Sequence, residues 1–205
     1  MARNGPRLTR DAVLTAALAV IDQSGLEACT MRSVASGLGV EAMSLYWHVP
    51  GKDALLDGVV EKILEEVQES HESRDDWREW MSTFGLTFRE VLLRHPNALL
   101  LLADRPLGAY AAASRLAGAS IEIFERAGFD RRTAMDATRT FSRFVVGSAI
   151  FDVGTRNPTS LSTPDAESVV QMMESVVSGD PVDLYAFGLR LMIAGLEAEL
   201  ARAGG

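Results

Sequence analysis

The stretch Thr30–His48, T-M-R-S-V-A-S-G-L-G-V-E-A-M-S-L-Y-W-H, decides the fold. Thr30 is an N-cap residue for a short helix whose apolar positions Val34 and Leu38 lie four apart. Gly39 breaks that helix and Val40 sets an apolar side chain between it and the next. A second short helix is expected from about Glu41 to His48, stopped by Pro50-Gly51. Two short helices joined by a glycine turn have the spacing of a helix-turn-helix, in which the first helix braces and the second lies in the DNA major groove.

The pattern continues outward on both sides. Upstream, Thr9 caps a helix with Asp11 in its first turn, Leu14, Leu18 and Ile21 at helical spacing, and Gly25 as its stop. Downstream, a helix beginning near Lys52 carries Leu56, Val59, Val60, Ile63, Leu64 and Val67 on one face. The polar run Ser70–Asp76 then forms a break. Six more helical segments are expected at Trp77–Leu93, Pro96–Ala103, Leu107–Ala127, Asp130–Val153, Pro164–Val177 and Asp183–Ala203, with a loop over Gly154–Pro164. The expected fold is all-α: an N-terminal three-helix bundle with the helix-turn-helix (residues 1–52), and a C-terminal helical ligand-binding and dimerisation domain (residues 53–205) entered through a connecting helix, 53–70.

Composition fits that division. The 205 residues are 47% hydrophobic, rich in Ala, Leu, Glu and Arg and poor in Pro, which favours helices. The net charge of −8 is unevenly spread. Residues 1–53 balance Arg3, Arg7, Arg10, Arg32 and Lys52 against Asp11, Asp22, Glu27, Glu41 and Asp53, so the excess negative charge falls on the remainder. An acidic body with a neutral tip steers the tip toward phosphate, although the strong basicity usual in nucleic-acid binding is absent. Val13–Ile21 follows basic residues as a signal peptide's core would. However, Asp11 interrupts the basic region, and the stretch runs into Asp22-Gln23-Ser24-Gly25 without a small-x-small cleavage site. The aliphatic run Ala98–Ala103 is too short to cross a bilayer. Cys29 is the single cysteine, so no disulfide forms within the chain, and a soluble, cytoplasmic protein without membrane contact is expected. No paired carboxylates, nucleophile–base set, glycine-rich phosphate loop or metal spacing stands out, and His71 and His95 are read as isolated surface residues. The chain is therefore expected to be neither an enzyme nor dependent on a metal or cofactor.

On the second helix of the pair, Ala42, Met43 and Ser44 are the residues that would face base edges. Tyr46, Trp47 and His48 present polar tips on bulky bodies, suited to phosphate and sugar. Lys52 opens the next helix, where a cation and free backbone N–H groups form a phosphate clamp. Leu45-Tyr46-Trp47-His48-Val49 followed by Lys52-Asp53-Ala54-Leu55-Leu56-Asp57 resembles the TetR family of regulators, closely so its tetracycline repressor branch. Thr30-Met31-Arg32-Ser33-Val34-Ala35 and Leu38-Gly39-Val40 extend the resemblance upstream. Arg105-Pro106-Leu107-Gly108, Ala127-Gly128-Phe129 and Phe187-Gly188-Leu189 continue it more loosely.

The resemblance implies DNA contacts by Arg32, Ser44, Tyr46, Trp47, His48 and Lys52. It also implies a homodimer on a palindromic double-stranded operator, and a small-molecule effector that releases a repressor. Departures fall where specificity is set. Ala42 and Met43 stand where tetracycline repressors have Gln and Pro, and their best base contact is apolar, against a thymine methyl. Leu101 and Phe151 stand at the His and Glu that hold drug-bound magnesium, and neither can ligate a hard cation. Two further polar drug-binding positions are Gln68, still polar, and Phe84, which is not.

The expected effector is therefore small, largely apolar and not magnesium–tetracycline. Its pocket is assigned to Phe84, Phe88, Leu101, Leu102 and Leu116, with Phe141, Phe144 and Phe151 beyond them. Gln68 and Arg105 are its polar handles, and Met172 and Met173 adapt to ligand shape. Gly147, Ser148 and Ala149 on one late helix, and Gly188, Ala194 and Gly195 on another, allow close approach of a second chain. The competing expectation is a helical interaction protein with a vestigial helix-turn-helix.

Overall fold

The computed structural model describes residues 8–70, 75–156 and 180–203, and among them there is no strand. Nine helices follow one another among the described residues: α1 (Arg10–Ser24), α2 (Met31–Leu38), α3 (Ala42–Leu45), α4 (Lys52–Glu69), α5 (Trp77–Arg94), α6 (Leu99–Asp104), α7 (Ala111–Arg126), α8 (Arg131–Arg156) and α9 (Pro181–Ala203). The expected segment Pro164–Val177, with Met172 and Met173, lies outside the described residues, as does most of the expected loop Gly154–Pro164. None of the described helices is long and apolar enough to cross a membrane.

Caps place the early helices where the sequence put them. Thr9 accepts the Ala12 N–H at 3.1 Å. Thr30 and Ser33 cap each other, the Ser33 N–H donating to Thr30 Oγ1 at 3.0 Å and the Thr30 N–H to Ser33 Oγ at 2.9 Å. That reciprocal box satisfies two donors at the start of α2 and adds about 1 kcal/mol of helix stability. Gly39 closes α2 with φ 66° and ψ 33°, a left-handed conformation that a side chain would resist.

Several boundaries differ from expectation; α6 and α7 begin at Leu99 and Ala111, after 3-10 turns at Pro96–Ala98 and Leu107–Ala109 where α-helix was expected. α3 is one helical turn, Ala42–Leu45, and Tyr46–His48 form a turn in which the N–H groups of both His48 and Val49 donate to the Leu45 carbonyl. Pro50 is the cause, because it disfavours helical geometry at Val49 and cannot donate a bond itself. Conversely, α8 runs through Gly154 to Arg156 because the chain offers no proline before Pro158, and one glycine near a helix end costs only about 1 kcal/mol. The last helix starts at Pro181, two residues earlier than expected, with Asp180 accepting the Val182 N–H at 2.8 Å.

Two compact units result. The first comprises Met1–His71 and Thr87–Ala119, the second Glu72–Leu86 and Ser120–Gly205. In the first, α1 packs on α2 and α4, and α4 packs on α6. Val13, Ile21, Val34, Leu45, Leu55 and Ile63 are fully buried there, each adding about 1.5–3 kcal/mol. The second has an aromatic core: Trp77 meets the Phe129 ring edge at 5.4 Å, and Trp80 stacks on Phe84 at 5.0 Å. Tyr185 of α9 donates its hydroxyl to the Gly85 carbonyl at 2.7 Å and stacks on Phe144 of α8 at 5.2 Å.

Candidate nucleic-acid interface and ligand residues

Leu45 and Val49 are buried and pin the α3 turn from below. What this leaves outside is unusual for so short a segment. Met43 is 74% exposed, Tyr46 47% and Trp47 90%. The two aromatics are therefore not core residues. Three large apolar side chains turned to water on one turn mark a contact surface. Arg32 at the head of α2 and Lys52 at the head of α4 are exposed, while Ala42 and His48 are half-buried. Ser44 donates its hydroxyl to the Glu41 carbonyl at 2.6 Å, so toward a base it offers oxygen lone pairs. Glu41, which the sequence pattern did not single out, sits exposed at the N-cap of α3 with its side chain making no cap bond. An acid at that position can accept from a cytosine amino group. Behind the interface Cys29 is buried, and burial pushes its thiol pKa up against the opposing pull of Lys52. It is an unreactive core residue.

The ten residues assigned to the effector divide between the units. In the first, Phe88, Leu101 and Leu102 are buried and Leu116 is half-buried. Leu101 also borders a shallow groove with Leu26 and Leu100. Arg105 lies on a different cleft of about 700 Å³, walled by Asp57, Glu61, Glu65 and Tyr110. There Arg105 donates to the Asp57 carboxylate, and the Tyr110 hydroxyl donates to the same oxygen at 2.9 Å. Burial and the Asp57 carboxylate both raise the Tyr110 pKa. Arg105 loses stabilisation by desolvation, yet the Asp57 charge and the Tyr110 bond outweigh that and hold its proton more tightly. Gln68 is likewise engaged, accepting from Arg115 Nε at 2.9 Å. Asp57 belongs to the motif quoted above, but nothing in the local pattern flagged Tyr110 as its partner.

In the second unit, Phe84 and Phe141 are buried with ring centroids 6.0 Å apart. Phe144 and Phe151 line a cleft of about 370 Å³ with Leu184 and Tyr185, rimmed by Arg143 and Asp152. Phe151 is 54% exposed. Val182, Leu184, Phe187 and Leu191 of α9 are exposed as well, the last three at the i, i+3, i+7 spacing of one stripe. Among the described residues no group of three or more His, Cys, Asp or Glu side chains is placed to hold a metal ion. His95, expected to stand alone on the surface, is instead nearly buried between two carboxylates. The reason is that the α5–α6 junction folds back onto α1 and α4, which no local pattern reveals. His71 lies outside the described residues.

A capped helix and a one-turn helix joined at a left-handed glycine, with an exposed aromatic tip and, among the described residues, a helical body beyond, define a helix-turn-helix regulator. Residues 13–59 match the model of bacterial regulatory proteins of the tetR family, and residues 69–200 that of the tetracyclin repressor-like C-terminal domain. The chain belongs to the TetR family of ligand-responsive, DNA-binding transcriptional regulators, which are not enzymes. It is 31% identical to the class C tetracycline repressor protein of Escherichia coli, with 93% of this chain and 91% of that protein covered. It is 36% identical over 146 residues to an HTH-type transcriptional regulator of Saccharopolyspora erythraea, a match spanning 71% of this chain and 61% of that relative. Among solved structures, a possible TetR family transcriptional regulator of Streptomyces coelicolor superimposes with a TM-score of 0.77 at 25% identity, covering 92% of this chain and 98% of that one.

Proposed function

We propose that the chain is a cytoplasmic repressor that binds a palindromic operator as a homodimer and is released by a small, largely apolar effector. The exposure of Trp47 carries the DNA-binding half of this reading, since a 90% exposed tryptophan beside Tyr46 and Met43 has no role within the chain's own core. Arg32, Tyr46, Trp47, His48 and Lys52 hold phosphate and sugar, and Ala42, Met43 and Ser44 read the major groove. Residues 1–52 form the functional reading head, with α4 as the lever that joins it to the effector domain. Repression accords with the relatives named as repressors.

The exposed stripe of α9, together with Phe151, supports pairing with a second copy. Leu101 and Phe151 supply no oxygen donor, which supports an effector other than magnesium–tetracycline. Effector binding near Leu101 tilts α4 and changes the separation of the two heads in the dimer. It does so only to the extent that the effector binds the released state more tightly than the DNA-bound state.

Random-sequence selection with the purified chain tests this. A palindromic consensus, with affinity falling steeply as salt rises, is the expected result. Failure to enrich any duplex would instead favour a helical interaction protein with a vestigial helix-turn-helix.

A further inference from the structure

The turn between α6 and α7 is stitched to α4 by polar contacts on two successive turns of that helix. Asp57 and Glu61 stand four apart and so share one face of α4. Asp57 Oδ1 accepts from the Arg105 guanidinium and from the Tyr110 hydroxyl, the latter at 2.9 Å. Glu61 Oε1 accepts the Ala112 N–H at 2.9 Å. Because α7 has no acidic residue in its own first turn, a carboxylate of α4 serves its N-terminus. Tyr110 and Ala112 are buried and Arg105 is half-buried, which limits competition from water. All of these residues belong to the first compact unit.

These contacts do for α4 what its apolar face cannot. The buried side chains from Leu55 to Val67 hold the helix by hydrophobic contact, which is non-directional. Hydrogen bonds are directional and weaken steeply when a helix slides or turns. Asp57 carries two of them at once, so it fixes α4 both along and around its axis. It lies five residues, about 7.5 Å of helix, from Lys52 at the head of α4. A displacement of α4 that breaks the clasp therefore also displaces Lys52.

We propose, on the reading of the α3 turn and Lys52 as the DNA interface, that Asp57 is a positioning residue for operator binding: clasped by Arg105 and Tyr110, it fixes where α4 presents Lys52 to the DNA backbone. Asp57 acts through Lys52 and adds no contact of its own to phosphate, which its charge would repel. Without the clasp α4 samples several positions, and freezing one of them on DNA costs affinity. The α6–α7 turn thereby gains a direct hold on the strength of DNA binding.

Operator affinity on a duplex recovered by random-sequence selection, read beside Tm in the full chain, tests this. D57N and R105Q should each weaken binding about fivefold, and the double variant by little more than either, since both remove one contact. R105K, which keeps the charge, should lose less than R105Q. Y110F keeps its ring in place and removes only the hydroxyl bond, so it should weaken binding about twofold in a chain whose packing is intact. The decisive readout is epistasis with Lys52: K52A should cost a smaller factor, and flatten the salt dependence less, in D57N than in wild type. Additive losses from D57N and R105Q, or an equal cost of K52A in both backgrounds, would reduce Asp57 to a contribution to stability and overturn its positioning role. So would tighter binding by D57N, the sign expected if its charge only repels DNA. Recovery of no duplex by wild type would instead bring down the DNA-binding reading itself, and the clasp with it.

Discussion

Leu14 of α1 occupies the space that a side chain on Gly58 of α4 would need: a Cβ built on Gly58 overlaps the Leu14 methyl groups. Leu14 is buried, so it has little freedom to move aside. The absence of a side chain at residue 58 thus sets how closely α1 seats on α4. Gly58→Ala is expected to destabilise the chain by about 1–3 kcal/mol through overpacking, even though alanine favours the helix itself. Thermal melting checks this, and Leu14→Ala in the same chain should recover part of the loss as a non-additive term. Additive losses would show that the two side chains do not compete for the space.

Trp47 offers the opposite case, a large side chain whose removal should leave the fold alone. At 90% exposure, Trp47→Ala is expected to change stability by less than about 0.5 kcal/mol. Operator affinity should drop at least about tenfold, equivalent to about 1.4 kcal/mol. A lowered Tm would place the indole in the core after all.

The helix-turn-helix was legible because its determinants are local. Thr30, Gly39 and Pro50-Gly51 specify two helices and a turn within about twenty residues. Its limits were less so: the shortening of α3 depends on how strongly Pro50 acts on Val49, a competition that helical periodicity does not register. The Asp22–His95–Glu66 cluster and the Arg105–Asp57–Tyr110 cluster were not legible at all, since their bonds join residues 29 to 73 positions apart that only tertiary packing brings together. The effector residues fall between these cases. Apolar positions on amphipathic helices are recognisable as buried, but burial alone does not separate a core wall from a pocket wall.

Glu66 gives a test at acid pH. Partial burial pushes its carboxyl up, but the hydrogen bonds from His95 and Arg94, with their charges, outweigh this and leave it below its ordinary value of 4.5. A carboxyl depressed in the folded state stabilises above its unfolded value and loses that contribution as pH falls through the folded one. Wild type should therefore exceed Glu66→Gln in Tm near neutrality, with the gap closing as the pH falls below the ordinary carboxylate range. The gap should be small, because the Glu66 side chain is 35% exposed and solvent screens it. A gap that widens on acidification would contradict the assigned sign.

Lys52 stands exposed at the N-terminus of α4, where its charge adds to the free backbone N–H groups of the first turn. Phosphate contacts carry no sequence information. Lys52→Ala is therefore expected to weaken binding to specific and random duplexes by similar factors. It should also lower the slope of log affinity against log salt by about 0.9 for each chain in contact with DNA. Titrations at several salt concentrations read both effects together. Selective loss on one operator would assign Lys52 to base reading instead.

The effector domain can be challenged without a mutation. Leu101 is buried beside Leu102 on α6, and Phe151 stands on α8 with only a hydrocarbon ring to offer. A hard divalent cation needs oxygen or comparable donors, so a magnesium–tetracycline complex would lose its metal anchors on this chain. Any compound bound at a hundred times its Kd adds about 2.7 kcal/mol of stability, which for a chain of this size is a Tm rise of several degrees. Magnesium and tetracycline together are expected to give no such rise, whereas the true effector should give one that a chelator leaves unchanged. A magnesium-dependent shift with tetracycline would mean that other donors replace the two lost positions, and the apolar assignment of the effector would fall with it.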